Sequence, residues 1–180
     1  MPTEVFGLPL HPLAVHMPVV LVPLLAVVIV AYVLVPKVRR HVGWLLLGLS
    51  VVAVAVVFVA RASGQQLADE TLAEMEGASQ QIIEQQAASI SNHASNGTTL
   101  LWLTLVAAPL AWLFAGFASG RLVSFLKDRS FKPLDATEAA STQRTAIMTT
   151  VGVVLVGLAV TMTYFVIRAG HTGAEMIWGA

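Results

Sequence analysis

Four long apolar runs, separated by polar segments, dominate the chain. The runs cover residues 15–35, 42–60, 98–118 and 146–167. Each approaches or exceeds the roughly 20 residues that a helix needs to cross a hydrocarbon core of about 30 Å. Their apolar residues follow one another without the alternation of barrel strands, so we predict helices. The pattern predicts an all-α fold, a four-transmembrane-helix bundle, with residues 1–180 forming a single membrane domain.

The polar segments between the runs differ in character. Segment 61–97 is rich in Gln, Ala, Glu and Ser, and recurring apolar residues within it predict one or two short amphipathic helices. Segment 119–145 is polar and basic, and it begins with an amphipathic piece, Leu122–Lys127, of the kind that lies on a membrane surface.

A stripe of small residues marks the third run. Ala107, Ala111, Ala115 and Ser119 recur at a spacing of four. Residues at this spacing share one face of a helix, and small side chains there let two helix backbones approach closely. We expect a tight helix–helix contact along this stripe.

Charge is scarce, and its placement predicts the orientation in the membrane. Only 11% of the residues are charged, against about 25% in an ordinary soluble domain. Of the ten Lys and Arg residues, three follow the first run and five follow the third. The positive-inside rule therefore places both termini and the segment 61–97 on the outer side. Residues 1–15 carry no Lys or Arg, so we expect no cleaved signal peptide.

Several chemistries are excluded by composition and motif. The chain has no cysteine, which excludes disulfides, thiolate metal sites, cysteine-bound iron–sulfur clusters and covalently attached haem. No carboxylate lies within a run, which argues against a proton pump. The sequence contains no Walker loop, nucleophile elbow or zincin motif, so no independent catalytic reaction is predicted and enzyme activity is left open.

Four of the five histidines fall on the predicted outer side. These are His11, His16, His93 and His171, whereas His41 falls on the inner side. Neutral imidazole is a common ligand of metals and of haem iron. Two imidazoles facing each other inside a helix bundle are what a six-coordinate b-type haem requires. The alternative is purely structural, because histidine also suits a membrane interface, where it hydrogen-bonds nearby backbone groups.

Position along the helices ranks these histidines as ligands. His16 lies in the first turn of the first span and is the best candidate. His93 follows, provided that its helix begins before Thr98, and His171 is third. We expect His11 to lie too far out. The predicted cofactor-binding set is therefore His16, His93 and His171, with His16 and His93 as ligands of haem iron or another metal.

Two stretches resemble a known family. The opening, Gly7-Leu8-Pro9-Leu10-His11-Pro12-Leu13-Ala14-Val15-His16-Met17-Pro18, and the tail Gly170-His171-Thr172-Gly173-Ala174-Glu175-Met176-Ile177-Trp178-Gly179 are similar to a bacterial family of uncharacterised small four-span membrane proteins, a domain of unknown function. Members of that family occur fused to Rieske or cytochrome c domains. The resemblance implies a place in respiratory electron transfer in the bacterial plasma membrane.

Three hypotheses follow. In the first, the protein holds a haem b near the outer leaflet and passes electrons between quinol, or a larger respiratory membrane complex, and an outer carrier. In the second, it is a non-catalytic accessory subunit of a respiratory complex and packs against larger subunits through its alanine stripe. In the third, the same histidines bind zinc or copper.

The charges favour one kind of outer carrier and give no indication of nucleic acid. The segment 61–97 has a net charge of −4 from one arginine and five acidic residues: Arg61, Asp69, Glu70, Glu74, Glu76 and Glu84. Such a surface suits a basic partner such as a cytochrome c-like carrier. The basic inner segments fit ordinary membrane topology and anionic lipid.

Overall fold

Helices account for nearly all of the structure. The computed structural model describes residues 4–75, 77–119 and 138–179. Within these ranges the elements are β1 (Glu4–Val5), β2 (Leu8–Pro9), α1 (Leu10–Ala14), α2 (His16–Leu34), a 3-10 helix (Pro36–Val38), α3 (Arg39–Glu74), α4 (Gln80–Ala118) and α5 (Glu138–Trp178). The two strands pair antiparallel, with Glu4 opposite Pro9 and Val5 opposite Leu8. The predicted surface piece Leu122–Lys127 lies outside the described residues.

The four long helices form an antiparallel bundle. Helix α2 contacts α3 and α5, and α4 contacts the same two helices. The connections from α2 to α3 and from α3 to α4 are short, as in bundles whose successive helices run in opposite directions. His93, early in α4, meets Thr172, late in α5, so these two helices are antiparallel as well. The all-α four-helix bundle predicted from the sequence is confirmed.

The outer surface of this bundle is apolar enough to face lipid. Four helical stretches are long and apolar enough to cross a membrane: Leu10–Leu34, Pro36–Glu74, Gln80–Ala118 and Thr142–Met176. Only 28–39% of the residues in their most apolar windows are buried inside the bundle. The remaining apolar side chains require a hydrocarbon environment, so this is a multi-pass membrane protein in contact with the lipid bilayer.

Two of the helices are longer than expected. Helix α3 has 36 residues and α4 has 39, so each is more than about 50 Å long at 1.5 Å per residue. The short amphipathic helices predicted within 61–97 are instead continuations of these two helices, which are joined by a turn containing Gly77 at φ 100°. Gln, Ala and Glu are strong helix formers, and a helix already formed in the membrane is extended by them at little cost.

The core is packed by small and medium apolar residues from all four helices. Ala107 and Ala111 are buried in α4, and Ala53 of α3 and Ala159 of α5 are buried with them. The alanine stripe therefore packs inside the bundle, as a close helix–helix contact requires. It is not available to a partner subunit, so the accessory-subunit hypothesis loses its expected docking face.

Arg39 caps the C-terminus of α2, at the end of the bundle opposite the histidines. Its Nε donates to the carbonyl oxygen of Tyr32 at 2.8 Å and its Nη2 to that of Val33 at 2.8 Å. The guanidinium also lies 5.9 Å from the ring centroid of Tyr32 and 5.4 Å from that of Phe114. A cation at a helix C-terminus satisfies carbonyls that have no partner within the helix, and aromatic faces attract it further.

We expect Arg39→Ala to destabilise the bundle. The variant loses two charge-assisted hydrogen bonds, and we expect a loss of about 2 kcal/mol in the free energy of unfolding, measured by denaturation in mixed micelles. Arg40→Ala is the matched control, because Arg40 is exposed and the substitution removes the same charge from the same end. Equal stability of the two variants would contradict this role for Arg39.

Candidate functional site

Four histidines gather at one end of the bundle, which we call the histidine end. It is formed where α2 begins, where the apolar part of α3 ends, where α4 approaches the core and where α5 ends. His11, His16, His93 and His171 belong to it, and His41 lies at the start of α3 at the opposite end. The antiparallel helix order brings these residues together from three separate parts of the chain.

Two of these histidines contact each other. The rings of His11 and His93 have centroids 5.9 Å apart and planes at 86°. His11 lies on α1 and His93 on α4, so the pair links the N-terminal segment to the second half of the bundle. Both rings are half-buried.

The His11 ring is fixed by α3. Its Nδ1 lies 2.9 Å from the carbonyl oxygen of Ala60 and 3.3 Å from Oγ of Ser63. A carbonyl oxygen can only accept, so Nδ1 carries the proton and donates it. The hydroxyl of Ser63 itself donates to the carbonyl of Ala60, which leaves its lone pairs for His11. In the neutral ring Nε2 then carries a lone pair.

The His93 ring is fixed by α5 in the same way. Its Nδ1 lies 3.2 Å from Oγ1 of Thr172. The hydroxyl of Thr172 has one proton, which it donates to the carbonyls of Arg168 at 3.0 Å and Ala169 at 3.3 Å. With that proton directed to a carbonyl, the hydroxyl oxygen is left to accept from a protonated Nδ1 of His93. As in His11, Nε2 of the neutral ring then carries a lone pair.

The two Nε2 atoms are the reactive groups of this pair. The hydrogen bonds that the two rings form with Ala60, Ser63 and Thr172 all involve Nδ1, and the His93 ring also has a backbone hydrogen bond to Ala169. The centroid separation of 5.9 Å and the perpendicular planes are those of an edge-to-face ring contact.

A glycine lies against each ring. A Cβ atom on Gly64 would lie 2.8 Å from Cε1 of His11, and one on Gly173 would lie 3.1 Å from Cε1 of His93. A side chain at Gly64 would displace the His11 ring, and one at Gly173 would require the His93 ring to move by a few tenths of an ångström. The glycines allow the imidazoles to rest directly on the backbones of α3 and α5.

His16 and His171 are placed differently from the pair. The ring of His16 is exposed, and its Nδ1 donates to the carbonyl of Pro12 at 2.7 Å. His171 is 69% exposed, and its Nε2 lies 3.1 Å from Oε1 of Glu175. Ligation by His16 and His171 stays a prediction, and the contacts favour His11 as the partner of His93.

The expectation that His11 lies too far out is wrong. The five-residue helix α1 lies against α3, and this contact carries the His11 ring onto Ala60. The condition set for His93 is met, because α4 begins at Gln80, well before Thr98.

The residues that hold the rings could not be recognised from local spacing. In the tail motif Gly170-His171-Thr172-Gly173, the histidine was the conspicuous residue, yet Thr172 and Gly173 make the contacts. A helix turns by about 100° per residue, so neighbours of an exposed residue can face the core. Gly64 lies within a polar stretch, and no motif or spacing in the sequence distinguishes it as a contact of His11.

The donor set favours one class of metal group. In the described ranges 4–75, 77–119 and 138–179, no three or more His, Asp or Glu side chains could hold a metal ion together. Tetrahedral zinc sites take three or four protein ligands, whereas haem iron already has four ligands from its macrocycle and needs only two axial ones. Two histidines therefore suit haem better than a bare ion.

Comparison with known proteins gave no match: no family model, curated protein or solved structure matches this chain. The family resemblance stays a prediction.

We expect Gly64→Ala to disrupt the packing of the His11 ring against the backbone of α3. The new methyl group overlaps the ring, and overpacking of this kind costs about 1–3 kcal/mol. Gly48→Ala is the matched control on the same helix, because a Cβ there meets open space and alanine favours a helix. Thermal unfolding in detergent should show Gly64→Ala below the wild type and Gly48→Ala at or above it. The opposite order would contradict the packing described here.

Proposed function

We propose that this protein is a b-type haem protein of membrane electron transfer, in which His11 and His93 would hold the haem. The observation that carries the proposal is the His11–His93 contact, in which the Nδ1 atom of each ring is bonded to a group on another helix. When bound, the haem would supply one-electron oxidation and reduction.

The chain's own residues would set the properties of this group. The carbonyl of Ala60 and the hydroxyl of Thr172 hold each imidazole in one tautomer and one orientation. Hydrogen bonds to the distal nitrogen of a ligating histidine also raise its basicity. Both rings are half-buried, and the partial loss of water around them would influence a reduction potential. The role proposed for the protein is thus to position and tune the group.

The position of the site suggests the route of the electrons. If the positive-inside prediction holds, the histidine end faces outward. The protein would then take electrons from quinol or a larger respiratory complex in the bacterial plasma membrane and pass them to an outer carrier. The resemblance to a family with Rieske and cytochrome c fusions supports the same setting.

Alanine substitution of each histidine tests the ligand assignment. The protein is purified in mild detergent, and its visible spectrum is recorded with and without dithionite. We expect a Soret band and sharp reduced α and β bands in the wild type. His11→Ala and His93→Ala should each lose the six-coordinate spectrum, because each removes an axial ligand.

His16→Ala and His171→Ala are the matched controls and should keep the wild-type spectrum. Loss of the spectrum in His16→Ala but not in His11→Ala would restore the first ligand assignment. A wild type that binds no haem, even when supplied with it, and copurifies with a respiratory complex would favour the accessory-subunit function. Stoichiometric zinc or copper would favour the third hypothesis.

The extended helices suggest how a carrier would dock. Beyond the histidine pair, α3 and α4 carry exposed carboxylates at Asp69, Glu70, Glu74 and Glu84. Acidic surfaces accelerate the encounter with basic proteins, and salt weakens this effect.

We expect the triple substitution Asp69→Asn, Glu70→Gln and Glu74→Gln to slow electron exchange with a basic cytochrome c about tenfold at low salt. Stopped-flow absorbance measures the rate. At high salt the variant and the wild type should converge. A rate that is unchanged at low salt would contradict docking at this surface.

A further inference from the structure

A buried amide near the histidine pair has no partner. Asn96 is 7% exposed, and its Nδ2 has no hydrogen bond in the structure. Buried polar groups are almost always bonded, so a single exception points to a missing acceptor. Asn96 follows His93 by three residues on α4, which places it on the same side of that helix, one turn further toward the core.

A cation lies on the neighbouring helix at a similar level. Arg61 donates from Nε to Oγ1 of Thr98 at 2.7 Å and from Nη1 to Oε1 of Gln65 at 2.8 Å. Both partners are neutral, and within the described part of the chain Arg61 forms no ion pair with a carboxylate. A guanidinium has five donors, so several remain for a further acceptor.

Both groups adjoin the elements that hold the histidines. Arg61 directly follows Ala60, whose carbonyl accepts from His11, and its side chain reaches α4 at Thr98. Asn96 lies one turn beyond His93 on α4. Arginine and primary amide groups each donate to carboxylates, and charge-assisted hydrogen bonds to that group are strong.

We propose that Arg61 and Asn96 bind the anionic carboxylates of the group held by His11 and His93. This inference rests on the proposed haem function, since the acceptor oxygens of haem b belong to its two propionate side chains. Asn96 and Arg61 would then be positioning residues that hold the group in one orientation.

The test compares two probes that differ only in charge. Apoprotein in detergent is titrated with iron protoporphyrin IX and with its dimethyl ester, and binding is followed by the Soret band. We expect the wild type to prefer the free acid about tenfold, as one or two charge-assisted hydrogen bonds imply. Asn96→Leu and Arg61→Met should each lower this preference at least about threefold and leave the affinity for the ester unchanged.

Two exposed residues supply the controls. Asn92→Leu replaces an amide on α4 one turn before Asn96, and Arg168→Met removes a cation at the same end of the bundle. Both should keep the wild-type preference. Binding of the ester by every variant shows that the fold and the histidine pair are intact. A structural role for Asn96 would instead predict equal losses for both probes.

The possible failures can be told apart. If the wild type binds both porphyrins equally well, the carboxylate assignment is overturned and the haem function stands. If the wild type binds neither porphyrin, the proposed function fails and this inference fails with it. Thermal unfolding of the apoprotein gives a second measure: Asn96→Leu should be at least as stable as the wild type, because it removes a buried donor without a partner. A less stable apoprotein would count against a ligand-binding role.

Discussion

The hydrogen bonds from the two Nδ1 atoms are the constraint on which the site depends. Ala60 on α3 accepts from His11, and Thr172 on α5 accepts from His93. Each bond fixes a ring on a different helix, so the relative position of α3 and α5 sets the distance between the imidazoles. These helices are not neighbours in the cycle of contacts, because each packs on α2 and α4. The geometry of the pair is therefore a property of the whole bundle.

The lipid requirement and the site impose different demands on the same helices. In the hydrocarbon region, every backbone group must be bonded within its own helix, and the side chains need only be apolar and pack well. At the histidine end, the helices carry Ser63, Gly64, Thr172 and Gly173, which have little value for burial. Glycine inside a helix is unfavourable by about 1 kcal/mol relative to alanine. Its presence against both rings is explained by the space that the rings occupy.

The fold was largely predictable because hydropathy measures the one property that the bilayer selects. The same measure says nothing about where a helix ends in water, so the extensions of α3 and α4 were missed, although their Gln and Ala content favours helix. His93 was recognised because it precedes the third apolar run on the same helix. His11 was not, because the contact of α1 with α3 determines its direction. The glycines and Thr172 act across helices, and no local spacing records such contacts.

The sequence separation between each histidine and its hydrogen-bond acceptor has a consequence for biogenesis. His11 leaves the ribosome before any span has formed, but its acceptor follows 49 residues later, and the acceptor of His93 is 79 residues further along than His93 itself. Membrane insertion of the last helix is thus needed before both imidazoles are oriented. A chain interrupted during synthesis would expose an unfinished pocket, so acquisition of any bound group is expected to be a late, post-translational event.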